Sequence, residues 1–415
     1  MSRLPTLKTV AAETRHPTTQ SSQCSNLGHP AGYVPYSMAD VRRSSDLRRF
    51  TFSSTFAGGG GSATGYRLAG GVAGIVNEFV PTAADTYERN FPETVVDRRD
   101  IRDIIRSPSG VDDFLGRGGV ARGELDILDG SPPCSEFSVA GSGIGDQDRL
   151  RKYSDVKQRG IATLPFDFVE VAGRAQPKVV VCENVPGLAS SYPDVLENLL
   201  ETLKWRDGKR AYFVNWKVLS ASDYGVGQKR KRLFIIGVRE DVAKATGFSS
   251  DDSILQLFPE PTNSSVTIRT ALAGLVQSER DISPWRQSAA STKLGSQIRR
   301  LPKDPAKHTR LCHVSPGETK SFTLTRCAWD LPSPTLVVTG QKPDGLCGAI
   351  HPEFDRKFTL PELKRLFGLP DDYSPTGTLS QAAERICRMV PPFLTEAIAE
   401  SIYDKILRPY AEVMK

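Results

Sequence analysis

The segment Phe50-Thr51-Phe52-Ser53-Ser54-Thr55-Phe56-Ala57-Gly58-Gly59-Gly60-Gly61 contains the pattern that decides the fold. Its first part, residues 50–56, is short and rich in aromatic and β-branched side chains, which is typical of a buried strand. The glycines that follow let the backbone approach a ligand closely, and they favour a helix whose first N–H groups face anionic atoms. The segment therefore predicts a strand, a ligand-binding turn and a helix.

The same alternation continues over about 190 residues of the chain. Further short apolar runs predict strands at 72–77, 125–128, 179–182 and 233–238, and helical patterns lie between them at 83–90, 166–175 and 193–203. Strand–helix alternation predicts an open α/β sheet with helices on both faces. Ligands of such sheets bind at the carboxyl ends of the strands, so we expect the functional site of this domain, residues 48–250, at that edge.

The regions that flank this domain have different patterns. Residues 1–47 are rich in Ser, Thr, Pro and Arg without an apolar period, which predicts a disordered arm or an over-long start. The alternation stops in residues 251–374, for which we expect a smaller second domain. Beyond it, apolar residues recur every four positions, and we expect residues 375–415 to complete the first domain; the recurring residues are Leu394, Ile398, Ile402 and Ile406.

Composition excludes several classes of protein. The chain has 39% hydrophobic residues, but no run approaches the roughly 20 apolar residues of a membrane span. Its N-terminal segment lacks the apolar core of a secretory signal. Seven scattered cysteines form no CxxC pair, so neither a disulfide framework nor a zinc site is expected, and the compartment is predicted to be reducing and cytoplasmic.

Charge is concentrated in one segment. The whole chain has a net charge of +6, and residues 261–330 contain 11 Lys and Arg against 5 Asp and Glu, which is also +6. A surface of this kind suits a phosphate backbone. The alternative is a basic face that only contacts solvent.

A carboxylate follows the strand after the glycine turn. Glu78 lies twenty residues beyond Gly58, where a carboxylate can accept hydrogen bonds from ribose hydroxyls. The spacing Gly58-x-Gly60-x-x-Ala63 fits a nicotinamide-dinucleotide turn equally well, and a glycine turn without a ligand is a further alternative.

A cysteine follows the strand predicted at 125–128, in Asp129-Gly130-Ser131-Pro132-Pro133-Cys134. The two prolines stiffen the turn and fix the direction of the thiol. Cys134 is therefore a candidate nucleophile, with an inert buried cysteine as the alternative.

Two further motifs lie at strand ends. Glu183, in Cys182-Glu183-Asn184-Val185, leaves an apolar strand and could donate a proton, although it could equally be structural. In Gln228-Lys229-Arg230-Lys231-Arg232, alternate residues share one side and present an amide and two guanidiniums. That side could hold phosphate and base oxygens, or it could be a solvated basic strand end.

Taken in order, these motifs resemble the DNA (cytosine-5) methyltransferases of bacterial and phage type. The similarity covers residues 51–240 and 330–405, and the joint pattern of PPC, ENV and QxRxR is highly specific. The resemblance implies a Rossmann-like, S-adenosylmethionine-dependent methyltransferase sheet with a smaller target-recognition domain.

The resemblance also implies roles for single residues in binding the cofactor. Glu78 would bind the ribose of S-adenosylmethionine, Phe79 would stack on the adenine and Asp100 would hold the adenine amine. The full cofactor set that the resemblance implies is Phe56, Ala57, Gly58, Gly60, Gly61, Glu78, Phe79, Asp100, Ile101 and Pro132.

For the substrate, the resemblance implies that Cys134 attacks C6 of a flipped-out cytosine and that Glu183 stabilises the adduct. Arg230 and Arg232 would support the base and the neighbouring phosphate. The predicted DNA contacts are Gln228 and Ser138, together with Arg299 and Arg300 of the basic segment 261–330. No metal is required.

The implied partner is double-stranded DNA, without a membrane and with the enzyme as a monomer. The resemblance also suggests a cognate restriction endonuclease in the same cell and a nucleoid-associated location in a bacterial or phage context. One departure concerns Cys387-Arg388, where the family usually has Gly-Asn. A transfer-RNA cytosine methyltransferase and a catalytically impaired DNA-binding homologue are the alternatives.

Overall fold

The computed structural model describes residues 33–133, 151–153, 156–158, 160–262, 265–290, 292–315, 323–341 and 345–415. This part of the chain is built around a seven-stranded sheet. Numbered in chain order, its strands are β1 (Phe50–Thr55), β2 (Gly71–Asn77), β3 (Val95–Asp97), β4 (Ile127–Gly130), β5 (Val179–Asn184), β6 (Tyr212–Ser220) and β7 (Lys231–Arg239).

The strand order places the predicted motifs along one edge of the sheet. The order is β6-β7-β5-β4-β1-β2-β3, and the neighbours from β5 to β3 are parallel. Strand β7 is antiparallel to both of its neighbours, so its amino end meets the carboxyl ends of the parallel strands. The motifs that follow β1, β2, β4 and β5 therefore share an edge with Arg232.

Helices cover both faces of the sheet, as expected. In β5, Val179 and Val181 join one hydrophobic cluster, whereas Val180 and Cys182 join the other, because successive side chains point to opposite faces. The first face is covered by helices Met38–Ser45, Gly61–Leu68 and Pro392–Ile402. The second is covered by Ile101–Arg106, Gly110–Arg117, Leu164–Ala175 and Pro193–Lys204. The predicted α/β class is confirmed.

The C-terminal helix packs tightly onto the first domain. A Cβ atom on Gly65 would lie 2.1 Å from Thr395 Oγ1 and 2.2 Å from the Pro392 carbonyl oxygen, so the two helices touch backbone to backbone. The predicted apolar stripe is fully buried, and each such side chain contributes roughly 1.5–3 kcal/mol. The stripe consists of Leu394, Ile398, Ile402 and Ile406.

The disordered arm predicted over residues 1–47 extends too far toward the C-terminus, because residues 33–47 are part of the fold. Helix Met38–Ser45 begins with a capping box in which Ser37 and Asp40 bind each other's backbone N–H groups. The Tyr36 hydroxyl donates to the Gly368 carbonyl at 2.7 Å, and Val41 is buried in the main core. Residues 33–47 therefore belong to the fold. They show no apolar period because only a few of their side chains face the core.

The smaller second domain also spans fewer residues than the predicted range 251–374. Ile254, Ile268 and Phe367 join the main core, so residues near both ends of that range pack with the first domain. A separate core lies between residues 289 and 350; its members are Ala289, Leu294, Ile298, Leu301, Leu311, Leu324 and Ile350. Helices Glu279–Ala290 and Thr292–Ile298 surround it, with strands Thr309–Arg310, Leu324–Arg326 and Gly348–Ile350.

The remaining elements are short. The further strands are Arg151–Tyr153, Val156–Gln158, Trp205–Arg206, Lys209–Arg210, Gln228–Lys229 and Ser333–Pro334. The further helical segments are Pro81–Asn90, Ile161–Thr163, Gly187–Ser190, Ala221–Tyr224, Glu240–Ala245, Asp252–Leu257, Ile268–Leu272, Leu311–Val314, Val338–Gln341, Leu360–Leu366, Leu379–Arg388, Tyr403–Leu407 and Arg408–Val413. Of the helices in the described ranges, not one has the length and apolarity needed to cross a bilayer.

Candidate functional site

The glycine turn after β1 forms one wall of a cavity at the sheet edge. Gly58 and Gly60 have φ angles of +58° and +91°, a conformation that glycine adopts without strain. A Cβ atom on Gly61 would lie 2.5 Å from the Val390 carbonyl oxygen. The turn is therefore pressed against the C-terminal segment, and a larger residue at this point would push the two apart.

Most of the predicted cofactor residues line this cavity. Those that do are Phe56, Ala57, Gly58, Gly61, Glu78, Phe79, Asp100 and Ile101. Gly60 and Pro132 are not among the described residues that line it. Gly60 instead shapes the turn from behind, and Ser131 and Pro133 take the place of Pro132 in the lining.

Glu78 joins the two loops that follow β1 and β2. Its Oε2 accepts from the Gly58 N–H and its Oε1 from the Val80 N–H, both at 2.7 Å. Burial raises the pKa of this carboxyl, while the two backbone donors and the charges of Arg385 and Arg388 act in the opposite direction. The carboxylate thus fixes the loop geometry and faces the cavity.

The remaining lining suits an adenosyl compound. The Asp100 carboxylate caps helix Ile101–Arg106 by accepting from the Arg102 N–H at 3.0 Å. Phe56 and Phe79 are half-buried, and both line the cavity. Ser131 Oγ is buried without a hydrogen-bond partner in the described part of the chain. Carboxylate acceptors, aromatic rings and an unpartnered hydroxyl together fit S-adenosylmethionine.

The PPC and ENV motifs lie side by side. Gly130 of β4 is in register with Cys182 of β5, and Asn184 Nδ2 donates to the Pro132 carbonyl at 3.5 Å. Cys134 and Ser138 lie outside the described residues, and the description of this loop ends at Pro133. Pro132, two residues before the cysteine, is therefore hydrogen-bonded to the strand that presents Glu183.

Glu183 and Arg232 form an ion pair at the same edge. Arg232 Nε lies 2.8 Å from Glu183 Oε1, and the two side chains are only 12% and 10% exposed. The pairing follows from the sheet, because Leu233 of β7 is in register with Asn184 of β5. The structure thus brings together two of the four predicted catalytic residues.

The other residues of the QxRxR motif face inward. Gln228 is completely buried and its Oε1 accepts from the Leu336 N–H at 2.9 Å. Arg230 is buried too, with its guanidinium 5.4 Å from the centre of the Phe367 ring. Leu336 and Phe367 contact these two residues, and neither side chain is exposed for the predicted DNA or base contact.

The predicted basic surface is only partly exposed. Arg299 and Arg300 are exposed at the end of helix Thr292–Ile298, as a DNA contact requires. Arg326, by contrast, is fully buried and pairs with Asp355 at 2.7 Å. Arg269 pairs with Asp330, also at 2.7 Å. Arg326 therefore stabilises the fold, whereas Arg269 remains on the surface with its side chain 56% exposed.

Sequence reasoning missed two features of the site. Arg385, Met389 and Val390 line the cavity together with Arg388, which had been noted only as a departure. The second feature is Asp129, whose pKa burial raises to about 6. Its carboxylate accepts from Ser62 at 2.8 Å, from Ser54 at 3.1 Å and from Tyr66 at 3.2 Å. The position of Asp129 close to the PPC motif is the sequence feature that could have identified it.

Metal ligands are not clustered in the part of the chain that the structure describes. There, no group of three or more His, Cys, Asp or Glu side chains is arranged to hold an ion.

Comparison with known proteins identifies the family. The sequence model of C-5 cytosine-specific DNA methylase matches residues 50–404. The type II methyltransferase M.Eco47II of Escherichia coli is 30% identical over 367 residues, covering 85% of this chain and 78% of the relative. M.PspPI of Psychrobacter sp. (strain TA137), also a type II methyltransferase, is 31% identical over 369 residues, covering 86% and 79%.

The fold has a solved counterpart in a putative DNA modification methyltransferase encoded within an E. coli prophage. It superposes with a TM-score of 0.61 at 21% identity and covers 86% of this chain and 99% of its own. Fold, cavity and sequence lead to one conclusion: the chain belongs to the C-5 cytosine-specific DNA methylase family and is a DNA cytosine-5 methyltransferase.

Proposed function

We propose that this enzyme methylates C5 of a cytosine in duplex DNA through a covalent bond between Cys134 and C6 of the flipped-out base. The supporting observation is the arrangement at the sheet edge. Ser131 and Pro133 line the cofactor cavity, and Asn184, the residue after Glu183, donates to the Pro132 carbonyl at 3.5 Å. A nucleophile that follows those prolines would stand between the methyl donor and the base.

The bond changes balance without a metal. The thiolate of Cys134 adds to C6, and the electron pair released at C5 takes up the methyl group. Transfer of the C5 proton to water then returns an electron pair to the ring and expels the thiolate. S-Adenosylmethionine, when bound, would supply the methyl group from its positively charged sulfur, which keeps the electrons of the broken S–CH3 bond and leaves as the neutral thioether of S-adenosylhomocysteine.

Glu183 stabilises the adduct in this proposal. Its carboxyl group contacts N3 and the exocyclic amine of the base, where charge develops after the thiolate adds. The 2.8 Å contact with Arg232 fixes the carboxyl orientation before the base arrives. Because C6 is hidden within the base stack of a duplex, the cytosine must first leave the helix.

The cofactor is held by the residues that line the cavity. Glu78 binds the ribose hydroxyls, Asp100 the exocyclic amine of adenine, and Phe79 stacks on the ring. Glu78 can do so while it retains the Gly58 and Val80 N–H groups, because each carboxylate oxygen has a second lone pair.

The small domain binds the target duplex in this proposal. Arg299 and Arg300 contact phosphates, and neighbouring loops read the bases. We further propose that the enzyme acts as a monomer on bacterial or phage DNA in the nucleoid, alongside a restriction endonuclease of matching specificity.

Labelled methyl transfer tests the proposed function. Wild-type enzyme, Cys134→Ser and the control Cys312→Ser, which removes a thiol in the small domain, are incubated with labelled S-adenosylmethionine and mixed-sequence duplex DNA. We expect label in 5-methylcytosine with wild type and Cys312→Ser, and none with Cys134→Ser, which should still bind DNA. If Cys134→Ser remained active, the assignment of Cys134 as the nucleophile would be wrong. If the wild-type enzyme labelled transfer RNA but not DNA, the assignment of DNA as the substrate would be wrong.

A further inference from the structure

Asp129 is a buried carboxylate without a cation beside it. It belongs to β4, the strand that leads into the PPC motif, and it is 2% exposed. Its three hydrogen bonds come from neutral hydroxyl groups, those of Ser54, Ser62 and Tyr66. Within the ranges that the structure describes, no Lys, Arg or His side chain forms an ion pair with it. Burying a charge is costly without a partner, so the position of Asp129 needs an explanation.

The carboxylate lies directly behind the wall of the cofactor cavity. Ser62, which lines the cavity, is the second residue of helix Gly61–Leu68, and its hydroxyl donates to Asp129 Oδ2 at 2.8 Å. Burial raises the pKa of Asp129 to about 6, and the charge of Glu183 adds to this effect. Asp129 is therefore close to both the cavity and the carboxylate proposed to contact the base. A positive charge placed between these two would be attracted by Asp129.

The neighbours of Asp129 leave its charge uncompensated. The two serines do not titrate, and burial raises the pKa values of Tyr66 and of Cys182 in β5 well above their ordinary values, so both stay neutral. Glu183, the other charged neighbour, is an anion-forming group as well. The negative charge that Asp129 gains as pH rises through about 6 is thus not cancelled by the groups that face it.

The sulfur of S-adenosylmethionine is positively charged, and that charge is lost when the methyl group leaves. We propose that Asp129 makes the cavity selective for the charged sulfur, so that the enzyme binds S-adenosylmethionine in preference to the product S-adenosylhomocysteine. At an effective dielectric constant of about 20, opposite unit charges roughly 10 Å apart change an affinity by about 10-fold. Because methyl transfer removes the charge, Asp129 acts on cofactor binding and product release and does not accelerate the transfer. This inference rests on the proposed use of S-adenosylmethionine.

Binding measurements without DNA test the inference. Calorimetry compares S-adenosylhomocysteine with S-adenosylmethionine and with sinefungin, which carries an ammonium group in place of the charged sulfur, on wild type, Asp129→Asn and the control Asp126→Asn. Asp126 precedes the same strand but already pairs with Lys178 at 2.5 Å. At pH 8, the preference for the two charged ligands should be about 10-fold greater in wild type and Asp126→Asn than in Asp129→Asn. At pH 5, where Asp129 holds its proton, wild type should approach Asp129→Asn.

Each other outcome contradicts a distinct statement. If folded Asp129→Asn keeps the wild-type preference at pH 8, or if the preference changes with pH equally in both proteins, the inference is wrong and the cofactor assignment stands. If wild type binds none of the three nucleosides, the proposed use of the cofactor fails as well. Should Asp129→Asn fold poorly, the smaller Asp129→Ser takes its place with the same expectation, and an unchanged preference would again oppose the inference.

Discussion

The ion pair between Arg232 and Glu183 gives the sharpest prediction on stability. At 2.8 Å and about one-tenth exposure, the Glu183 carboxylate depends on Arg232 for most of the compensation of its buried charge. Arg232→Gln removes the cation and leaves that charge in place, which should lower the free energy of unfolding by about 2–4 kcal/mol. Glu183→Gln removes the charge but keeps a carbonyl acceptor for Arg232, so its cost should be about 1 kcal/mol.

Exposure is the variable that the control isolates. Arg98 pairs with Glu88 at 2.7 Å, nearly the same distance, but both side chains are more than two-fifths exposed. Arg98→Gln should therefore cost less than about 1 kcal/mol, because water screens the charge that remains. Urea denaturation of the three variants and wild type measures the differences. An Arg232→Gln variant no less stable than Arg98→Gln would refute the reasoning.

The same variants separate stability from catalysis. Glu183→Gln should fold yet lose about 10²- to 10⁴-fold in the rate of methyl transfer, because the amide can neither exchange a proton with the base nor carry a charge beside it. If the rate falls only in proportion to the folded fraction, the catalytic role of Glu183 is wrong.

Three further predictions concern single sites. Gly61→Ala should destabilise the fold by about 1–3 kcal/mol because its Cβ meets backbone 2.5 Å away, whereas Gly116→Ala, with open space around it, should not; equal urea midpoints would oppose this. Because burial raises the pKa of Asp129 to about 6, the folded state holds its proton longer than the unfolded state. The stability of wild type relative to Asp129→Asn should thus fall by about 2 kcal/mol as pH rises from 4 to 6; a pH-independent difference would contradict it. Replacing Arg299 and Arg300 by Gln should reduce the slope of log affinity for DNA against log salt by about 1.8; an unchanged slope places the DNA elsewhere.

The strands of the sheet centre could be predicted because their side chains are buried on both faces. β5 and β7 are nearly continuous apolar runs, and the predicted 179–182 and 233–238 lie within them. Edge strand β6 was missed, since Lys217 and Val218 are exposed within it and the apolar run is broken. The strand predicted at 125–128 is β4, displaced by two residues, because polar Asp129 is buried inside the sheet.

The site could be predicted where its residues follow strand ends, because chain order alone places those ends together. Arg385 and Val390 line the same cavity as the glycine turn, although they are more than 300 residues away in the sequence. A local sequence pattern cannot predict a contact over that separation. The same holds for Gln228, whose covering partner Leu336 lies 108 positions later. Alternation predicted that the side chains of the QxRxR motif share one side, but it could not tell that the distant residues Leu336 and Phe367 contact Gln228 and Arg230.

The central claim is the bond between Cys134 and a cytosine, and trapping on a duplex that contains 5-fluorocytosine tests it most directly. Fluorine at C5 cannot leave as a proton does, so methyl transfer leaves the enzyme attached to the DNA. Wild type with S-adenosylmethionine should form a complex that survives denaturing electrophoresis, with mass spectrometry locating the nucleotide on Cys134, and Cys134→Ser should form none. Active wild-type enzyme that gives no stable complex, or a complex that persists in Cys134→Ser, would contradict the account.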